Sequence, residues 1–266
     1  MMTSAAPNTE TADCIAIIVA AGSGNRAGPA SHHDTTHQGS ENKLEKQFWP
    51  LAGKSVLAHS VDIFRTHPRV KAIIIVTAPH NIERVRSDFD EPDCSIIAGG
   101  ATRQKSVHAG LKAAADIDPA GRFVAIHDAA RPLLPPALLS TMLATISDKV
   151  AGVAPALPLT DTLSCINAQQ TIDCIIDRTP MRALQTPQLF WRELITDLHK
   201  HYAGDKNYTD DCGLALAAGH AIATVTGTHQ LLKLTQPQDY AMLKTYCNAA
   251  DNTSLPAGHG MPEIRI

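Results

Sequence analysis

The stretch that decides the fold is residues 15–26, IAIIVAAGSGNR, near the start of the chain. Its first part is an apolar run rich in β-branched residues, which is typical of a buried strand in a parallel sheet. The run ends at Gly22 and Gly24, where no Cβ covers the backbone N–H groups, so a chain of phosphates can lie across the loop. Because Arg26 follows at once and Lys46 lies further along, the segment indicates phosphoryl or nucleotidyl transfer.

The glycine spacing alone leaves two interpretations open. The segment GSGNRA has no third glycine at the place that the dinucleotide fingerprint requires, and it has no Gly-Lys-Ser or Gly-Lys-Thr of a P-loop. One interpretation is a tight turn from strand to helix that binds no ligand. The other is a phosphate-binding loop, and the rest of the chain has to decide between them.

The composition is that of a globular protein with a substantial core. The chain has 266 residues, of which 44% are apolar and 18% are charged, and its formal net charge is −3. This length suits one large domain or one domain with tails. The charge balance gives no nucleic-acid footprint, and no apolar run approaches the ~20 residues that span a bilayer. We therefore expect neither a nucleic-acid partner nor a membrane partner.

Both ends and one internal stretch are expected to lie outside the folded core. Residues 1–13 are polar and acidic, do not resemble a secretory signal, and are predicted to be disordered. Residues 27–45 form a polar, turn-rich loop insertion that we expect to be mobile without ligand. Residues 247–266 have the character of a C-terminal tail or linker. The domain itself is predicted to cover residues 14–246.

Cysteine and histidine usage gives no metal or disulfide signature. The six cysteines are scattered without a Cys-x-x-Cys pair, so neither a disulfide framework nor a zinc ribbon is expected. Most of them are predicted to be core thiols in a reducing cytoplasm. His32, His33 and His37 lie in the polar insertion without regularly spaced acidic or cysteine partners, so we interpret them as solvated loop residues.

Strand-like and helix-like segments alternate along the chain, which predicts a three-layer α/β fold with a mainly parallel sheet. The prolines Pro155 and Pro158 are expected to stop the strand at 151–156. Polar and β-branched residues alternate between 159 and 176, which predicts a protruding β-arm. The predicted strands are 14–21, 70–77, 95–100, 122–127, 151–156, 182–190 and 221–225, with 231–234 a strand or a loop. The predicted helices are 56–66, 81–89, 102–115, 136–150, 191–202, 209–218 and 237–246.

Three turns at the carboxyl ends of predicted strands carry glycines or an acid. They are Gly22 with Gly24, Gly99 with Gly100, and Asp128. In an open α/β sheet such ends converge on one crevice, which is the usual ligand site. This convergence favours the phosphate-binding interpretation over ordinary short loops between strand and helix.

A series of short motifs occurs in order along the chain. They are AAGSGNR at 20–26, KQF at 46–48, the double glycine 99–100 followed by Arg103 and Ser106, HDAARP at 127–132, Asp161 with Thr162, Asp177 with Arg178, TPQ at 186–188, Thr209 with Asp210, and KLT at 233–235. Over residues 14–246 the chain resembles the 2-C-methyl-D-erythritol 4-phosphate cytidylyltransferase family. The resemblance implies a Rossmann-like nucleotidyltransferase fold with a β-arm. The HDAARP and TPQ motifs make it far more specific than a glycine loop.

The resemblance implies a reaction of the non-mevalonate isoprenoid pathway. A phosphate oxygen of methylerythritol phosphate would attack the α-phosphorus of CTP, giving 4-diphosphocytidyl-2-C-methylerythritol and pyrophosphate. The nucleophile is already an anion, so catalysis must bring two polyanions together and stabilise a pentavalent phosphorus. The family's transition-state stabilisers match Arg26 and Lys46. Mg²⁺ would bridge the triphosphate oxygens and would need few protein ligands.

The resemblance also implies which residues contact each substrate. The residues around CTP would be Ala20, Ala21, Gly22, Gly24, Gly100, Ser106 and Asp128, and Asp128 would also be the metal-binding residue. The methylerythritol phosphate would contact Arg131, Asp161, Thr162, Thr186, Thr209 and Asp210, while Arg178 and Lys233 would orient its phosphate. Backbone groups near the double glycine and Ser106 would recognise the cytosine amino group, which uracil lacks.

Two further expectations concern assembly. In the family the arm, here about residues 156–181, exchanges between the subunits of a homodimer, so Thr162 and Arg178 would complete the partner's site. The segment 262–266, PEIRI, resembles the start of a cyclodiphosphate synthase domain in fused bifunctional relatives. The expected substrates are CTP and methylerythritol phosphate. The expected location is the cytoplasm.

Some alternatives remain at this point. The 19 residues 27–45 separate Arg26 from Lys46, a much longer link than is usual in the family, so Lys43 competes with Lys46 for the same role. Gln47 and Phe48 favour Lys46. The nearest alternative function is a ribitol 5-phosphate cytidylyltransferase, and the alternative from another class is a non-catalytic nucleotide-binding module.

Overall fold

The computed structural model describes residues 12–22, 44–202 and 208–252. The described part contains twelve strands, seven helices and two short 3-10 turns, at Lys46–Phe48 and Pro79–Asn81. The strands are β1 (Cys14–Ala20), β2 (Pro50–Leu51), β3 (Lys54–Ser55), β4 (Val70–Thr77), β5 (Cys94–Ala98), β6 (Phe123–Asp128), β7 (Gly152–Pro158), β8 (Leu163–Ile166), β9 (Ile172–Ile176), β10 (Arg182–Leu184), β11 (Gln188–Trp191) and β12 (Ile222–Thr226). The helices are α1 (Val56–Arg65), α2 (Ile82–Asp88), α3 (Arg103–Ile117), α4 (Pro136–Thr145), α5 (Arg192–His201), α6 (Asp211–Ala217) and α7 (Pro237–Asn252).

The central sheet has eight strands in the order β10-β7-β11-β6-β1-β4-β5, and β12 pairs with β7. Strand β1 pairs in parallel with β4 on one side and with β6 on the other, so the chain order reverses between β1 and β6. Within this sheet only β10 and β11 are antiparallel to their neighbours: β10 pairs with β7, and β11 pairs with both β6 and β7. The mainly parallel sheet is therefore confirmed. The reversal between β1 and β6 is a topological switch point, which is where ligands bind in this class of sheet.

Helices cover both faces of the sheet because the buried strands are apolar on both sides. In β1, Ala16 and Ile18 face one way, toward α1, α2 and α4. The alternate residues Ile15 and Ile17 face α3, α5 and α6. This alternation follows from the two-residue period of a strand, and it gives the predicted three layers.

A smaller apolar cluster ties α7 to the segment before α1. Trp49 and Leu51 pack with Leu243 and Cys247 of α7. The Tyr240 hydroxyl donates a hydrogen bond to the Pro50 carbonyl, and its ring meets Trp49 edge to face. As a result, α7 holds the Lys46 turn against the body of the domain.

Most of the predicted elements are confirmed within two residues, and four predictions are wrong in detail. The strand at 151–156 is not stopped by Pro155, because the pairing there uses the Pro155 carbonyl, which accepts from the Gln185 N–H at 2.8 Å. The stretch 182–190 forms two strands, β10 and β11, instead of one. Helix α4 ends five residues before the predicted end, where Ile146 turns extended, and α7 continues six residues beyond its predicted end.

The hairpin predicted between 159 and 176 is confirmed as the separate two-stranded sheet β8–β9. Its turn is fixed by Asn167, whose Oδ1 accepts from the N–H groups of Gln169 and Thr171. Residue 156, the expected start of the arm, is still part of the main sheet, because Ala156 pairs with Leu184.

Some of the predicted residues and segments lie outside the described ranges. Gly24, Arg26 and nearly all of the 27–45 insertion lie outside them, and so do the end of the tail and most of residues 1–13. For the part of the chain that is described, no helix combines the length and apolar character needed to cross a bilayer.

Gly110 sets how closely α3 approaches the sheet, and α3 carries Arg103 and Ser106. A Cβ at Gly110 would lie 2.6 Å from Ile17 Cγ2 and 3.2 Å from Val76 Cγ2. Overpacking of this kind costs about 1–3 kcal/mol, of which the better helix propensity of alanine returns up to about 1 kcal/mol. We therefore expect Gly110→Ala to lower the free energy of unfolding in urea.

The matched control for this substitution is Lys112→Ala, at an exposed position on the same helix. Exposed substitutions usually change stability by less than about 0.5 kcal/mol. A Gly110→Ala protein as stable as this control would show that α3 does not depend on the missing side chain.

Candidate active site

Asp128 is the last residue of β6 and lies at the switch point, opposite Val19 of β1. Its carboxylate is buried, and each oxygen has a cationic partner. Oδ1 accepts from Arg103 Nε at 3.1 Å, and Oδ2 accepts from Lys233 Nζ at 2.6 Å. Burial alone would raise the pKa of Asp128, but the Arg103 and Lys233 charges and hydrogen bonds outweigh it and hold that pKa far below its ordinary value.

Arg103 links Asp128 to a second buried carboxylate. It is the first residue of α3, where the Thr102 hydroxyl caps the helix by accepting from the Lys105 N–H. Its Nη1 donates to Asp211 Oδ2 at 2.8 Å. Burial opposes the charged form, yet the two carboxylates more than compensate and raise the pKa of Arg103 above its ordinary value. The guanidinium therefore stays charged and joins β6, α3 and α6.

Asp211 is itself held from the other side. His199 Nε2 lies 2.9 Å from Asp211 Oδ1, and both residues are buried. Gln188 Oε1 accepts from the N–H groups of Asp211 and Cys212, while Gln188 Nε2 donates to Asp210 Oδ2. The start of α6 is thus fixed to β11, and Asp210 caps the helix by accepting from the Gly213 N–H.

The double glycine after β5 makes a close approach that no other residue allows. A Cβ at Gly99 would lie 2.6 Å from the Ala21 Cβ and 2.8 Å from Ser106 Oγ. Ser106 Oγ in turn accepts from the Gly100 N–H at 3.1 Å and lies 3.0 Å from the Thr102 carbonyl. Ser106 therefore shapes this loop, and the predicted contact of Ser106 with cytosine stays a prediction.

The Lys46 turn lies beside the carboxyl end of β1. Gln47 Nε2 donates to the Ala20 carbonyl at 3.0 Å and also contacts Glu45, which is hydrogen-bonded to Asn81. Burial raises the pKa of Asp239, but hydrogen bonds at the start of α7 and, as a smaller contribution, the charge of Lys46 lower it below its ordinary value. Lys46 is thus held between the end of β1 and the start of α7.

His127 is fully buried next to Asp128 and is kept neutral. Its Nε2 lies 3.0 Å from the Arg131 carbonyl, and its Nδ1 lies 3.3 Å from Thr186 Oγ1, which also accepts from the Asp128 N–H. A single arrangement satisfies all three contacts: Nε2 donates, and the Thr186 hydroxyl donates to Nδ1. Desolvation lowers the pKa of His127 to about 4, which fits this neutral tautomer.

Arg131 completes a cluster in which positive charge is in excess. Its Nη1 donates to the Leu231 carbonyl at 2.7 Å. Burial and the neighbouring Arg103 lower the pKa of Arg131, while Asp128 raises it. Among the described residues, the charges of this cluster are the three cations Arg103, Arg131 and Lys233 and the two carboxylates Asp128 and Asp211. In the same part of the chain, Arg103 Nη2 and Arg131 Nε are buried without a hydrogen-bond acceptor. A cluster with surplus charge and unused N–H donors suits an anion.

The structure brings several predicted site residues to this sheet edge and leaves others apart. Nine of them take part in the contacts described above: Ala20, Ala21, Gly100, Ser106, Asp128, Arg131, Thr186, Asp210 and Lys233. Two more are their neighbours in sequence, since Gly22 follows Ala21 and the exposed Thr209 precedes Asp210. Asp161, Thr162 and Arg178 are exposed at the base of the arm, where Arg178 Nη1 donates to the Thr160 carbonyl. Gly24 and Arg26 lie outside the described residues.

A magnesium ion fits this sheet edge if nucleotide phosphates supply most of its ligands. Mg²⁺ is usually held by one or two carboxylates together with substrate phosphates and water. Asp128 is the carboxylate at the switch point, and each of its oxygens has a second acceptor position beyond the contacts with Arg103 and Lys233. The donor set therefore fits the ion.

A second acidic group lies at the other end of the sheet. Glu91, Asp93 and Cys94 come together at the start of β5, within 4.8 Å of one another. Arg65 forms ion pairs with both carboxylates, so this group is already compensated.

The geometry above belongs to a chain with clear relatives. A profile of the 2-C-methyl-D-erythritol 4-phosphate cytidylyltransferase family matches residues 14–249. The chain belongs to this family. Its members are nucleotidyltransferases, and the matched region includes every described residue of the Asp128 cluster.

Individual relatives agree with this assignment. The "Bifunctional enzyme IspD/IspF" of Rhodopseudomonas palustris is 37% identical over 238 residues, which cover 88% of this chain and 56% of that protein. The chain thus spans about half the length of the curated relatives it matches. A solved "4-diphosphocytidyl-2C-methyl-D-erythritol synthase" superposes with a TM-score of 0.71 at 25% identity, covering 88% of this chain and 98% of that one. The corresponding synthase of Anaerococcus prevotii, at 24% identity and TM-score 0.71, covers 88% and 96% and shares the fold.

Sequence reasoning missed three residues that organise the site of this family member. Arg103 and Gln188 stand in motifs of the chain to which the sequence assigns no role for these two residues, and Asp211 stands in none of the motifs. A signal was available for Arg103, because it follows the double glycine directly and precedes Ser106 on one helix. A signal was also available for Asp211, which directly follows the predicted site residue Asp210, and for Gln188, which ends the TPQ motif. Only the fold shows that both lie near Asp128, from which they are 83 and 60 positions away in the sequence.

Removing the Arg103 charge should destabilise the fold. Breaking a buried ion pair by removing one partner costs about 3–5 kcal/mol, because the other charge stays buried without compensation. We expect Arg103→Met to lower the free energy of unfolding in urea by about 3–5 kcal/mol. Adding Asp211→Asn to the same chain should restore part of this loss, because it removes one of the two carboxylates that Arg103 compensates. Arg86→Met, which breaks only an exposed pair with Glu83, should cost less than about 1 kcal/mol.

The neutral state of His127 should appear in the pH dependence of stability. The unfolded chain takes up a proton on His127 below its ordinary pKa of 6.5, whereas the folded chain does so only near pH 4. Stability linked to this group is therefore complete above pH 6.5 and is lost as the pH falls toward 4, by about 3 kcal/mol in total. His127→Gln should flatten the curve of unfolding free energy against pH in that range. An equal effect of His229→Gln, at an exposed position, would contradict this assignment.

Proposed function

We propose that the chain transfers a cytidylyl group from CTP to 2-C-methyl-D-erythritol 4-phosphate, giving 4-diphosphocytidyl-2-C-methylerythritol and pyrophosphate. The observation that carries the proposal is the charge cluster at the switch point, which lies within residues 14–249, the part of the chain that the family profile matches. Motif residues that are far apart in sequence, Ser106, Asp128, Thr186 and Lys233, contribute to one sheet edge.

The chemistry follows from the charges of the two substrates. The attacking phosphate is an anion and needs no base, so the protein has to bring it against a triphosphate and neutralise the charge that accumulates. Lys233 is suited to move between partners, since its side chain is 37% exposed and its bond to Asp128 is a single contact. We infer that Lys233 exchanges Asp128 for the incoming phosphate, while Arg103 keeps Asp128 in place.

Arg26 and Lys46 are proposed as the residues that stabilise the transition state. Lys46 is supported by its position between the end of β1 and the start of α7, and by the Gln47 bond to the Ala20 carbonyl. An ammonium offers a compact charge, and a guanidinium offers a fork for two phosphate oxygens. Arg178 is proposed to help Lys233 orient the substrate phosphate.

Magnesium is proposed as the cofactor. Asp128 would hold the ion together with the triphosphate, and the bound ion would screen the charge of the phosphates. For this chain the consequence is that Asp128 has to stay ionised, and Arg103 is proposed to keep its pKa low after Lys233 has moved to the phosphate.

Assembly and location are proposed on separate observations. A homodimer through exchange of the arm is supported by the exposed apolar side chains of Ile166, Ile172 and Ile175. A fused second domain is supported by the length and the bifunctional name of the Rhodopseudomonas palustris relative, and a native gene product near twice the present mass would agree with it. A cytoplasmic location is supported by six free cysteines, since thiols stay reduced there.

The activity is tested by pyrophosphate release from CTP and magnesium with each of two alcohol phosphates. We expect release with methylerythritol phosphate and little with ribitol 5-phosphate, and little with UTP in place of CTP. Preference for ribitol 5-phosphate would select the other cytidylyltransferase. Nucleotide binding without release in either mixture would select the non-catalytic module.

Lys233→Gln tests the role of the cluster in that assay. Without Lys233 the attacking phosphate is held less well against the nucleotide, so the barrier should rise by about 3 kcal/mol and turnover should fall more than CTP affinity. The matched control is Lys54→Gln, which breaks an exposed pair with Asp62 away from the sheet edge. Equal activity of the two variants would exclude Lys233 from catalysis.

A further inference from the structure

The two cysteines of the arm hairpin stand directly opposite each other. Cys165 of β8 pairs with Cys174 of β9 in the antiparallel register. Both side chains are exposed, and both thiols are free. The prediction of core thiols is confirmed for Cys14, Cys212 and Cys247. It does not hold for the pair in the hairpin, because the hairpin leaves the body of the domain and has no core of its own.

The register places the two residues at a distance that suits a covalent bond. Residues directly opposite each other in an antiparallel pair have Cα atoms about 4.5–5.5 Å apart. A disulfide needs a Cα separation of about 4.4–6.8 Å, so the backbone already has the required spacing. The thiols are close enough to share a hydrogen bond, which raises the pKa of Cys165.

The hairpin is fixed on both sides of this pair. Toward the tip, Asn167 binds the backbone of the turn and the Thr171 hydroxyl. Toward the base, Leu163 pairs with Ile176, and Arg178 donates to the Thr160 carbonyl. Because neither strand can slip without breaking these contacts, the two thiols stay opposed.

We propose that Cys165 and Cys174 form a reversible redox site, at which a small-molecule disulfide of the glutathione type converts the two thiols into one disulfide across the hairpin. One cysteine thiolate attacks the small disulfide, forms a mixed disulfide and releases one small thiol. The other cysteine thiolate then attacks the mixed disulfide at the protein sulfur and releases the second small thiol. Both cysteines lose their protons and are oxidised, while the small disulfide is reduced to two thiols.

The other described cysteines lack these properties. Cys14 is fully buried, and desolvation raises its pKa to about 12. Cys212 and Cys247 are also buried. Cys94 is half-buried and is held by Arg65, and the structure shows it as a free thiol. The cross-strand pair is therefore the site that a small disulfide can reach and that can close on itself.

The position of the pair makes its oxidation relevant to the arm as a whole. Cys165 lies three residues after Thr162, and Cys174 lies four residues before Arg178. A disulfide between them joins the two strands at mid-length and restricts their opening. Oxidation therefore stiffens the segment that carries these two residues, whatever reaction the domain catalyses.

The test incubates the full chain in glutathione buffers of increasing oxidised fraction, then blocks free thiols and maps the peptides by mass spectrometry. We expect the peptides of Cys165 and Cys174 to become linked, with loss of two hydrogen atoms, before Cys94 reacts, and dithiothreitol to reverse the link. Amide hydrogen exchange in 163–176 should slow by several-fold on oxidation. The reaction should be faster at higher pH, since the thiolate is the attacking form.

The variants Cys165→Ser and Cys174→Ser remove one partner each. Either variant should carry a stable glutathione adduct on the remaining thiol instead of an internal link, which would support the proposal. Cys94→Ser should leave the link unchanged. Separate adducts on both cysteines of the unmodified chain, a link between two chains, or a pair that stays reduced in fully oxidised glutathione would each overturn it.

Discussion

The Asp128 carboxylate, buried between Arg103 and Lys233, is the interaction on which the rest of the site depends. An ionised carboxylate without partners could not remain at this depth, since its desolvation would cost several kcal/mol. The two cations come from α3 and from the loop before α7, so the charge balance also fixes both elements against β6. The same balance lowers the pKa of Asp128 and raises that of Arg103, so both stay charged, which is the state that phosphate chemistry requires.

The sheet explains why this cluster forms at that point. β1 and β6 lie side by side in parallel, and the chain leaves them in opposite directions. Their carboxyl ends therefore open a crevice, and the loop after β5 closes one side of it. Gly99 is required there because a Cβ would meet Ala21 and Ser106. The crevice therefore combines a loop shape that depends on Gly99 with the buried charges around Asp128, which come from other parts of the sequence.

The sequence predicts the layers, most elements and many of the residues at the sheet edge. It does so because β1, β4 and β6 are apolar on both faces and because the motifs follow strand ends. The errors have local causes: Pro155 stays within a strand since only its carbonyl is needed for pairing, and β10 and β11 are too short for their separation to be visible in the pattern.

The ion-pair chain beyond Asp128 was not predictable in the same way. Arg103, Asp211 and His199 come from three helices, and nothing in local spacing shows that α3, α5 and α6 pack together at their ends. The direct opposition of Cys165 and Cys174 likewise depends on the exact pairing of β8 with β9. A one-residue slip in that hairpin would separate them.

The most direct measurement is a carbon-detected NMR titration of the Asp128 carboxyl group in the folded protein. If Arg103 and Lys233 hold the charge as described, the signal should show an ionised carboxylate well below the ordinary pKa of 3.8, down to the lowest pH at which the fold persists. Arg103→Lys keeps the charge but loses the guanidinium, which donates to Asp128 and Asp211 at the same time. In this variant the pKa of Asp128 should rise toward that ordinary value. An Asp128 signal that titrates at 3.8 or above in the unmodified protein would contradict the account.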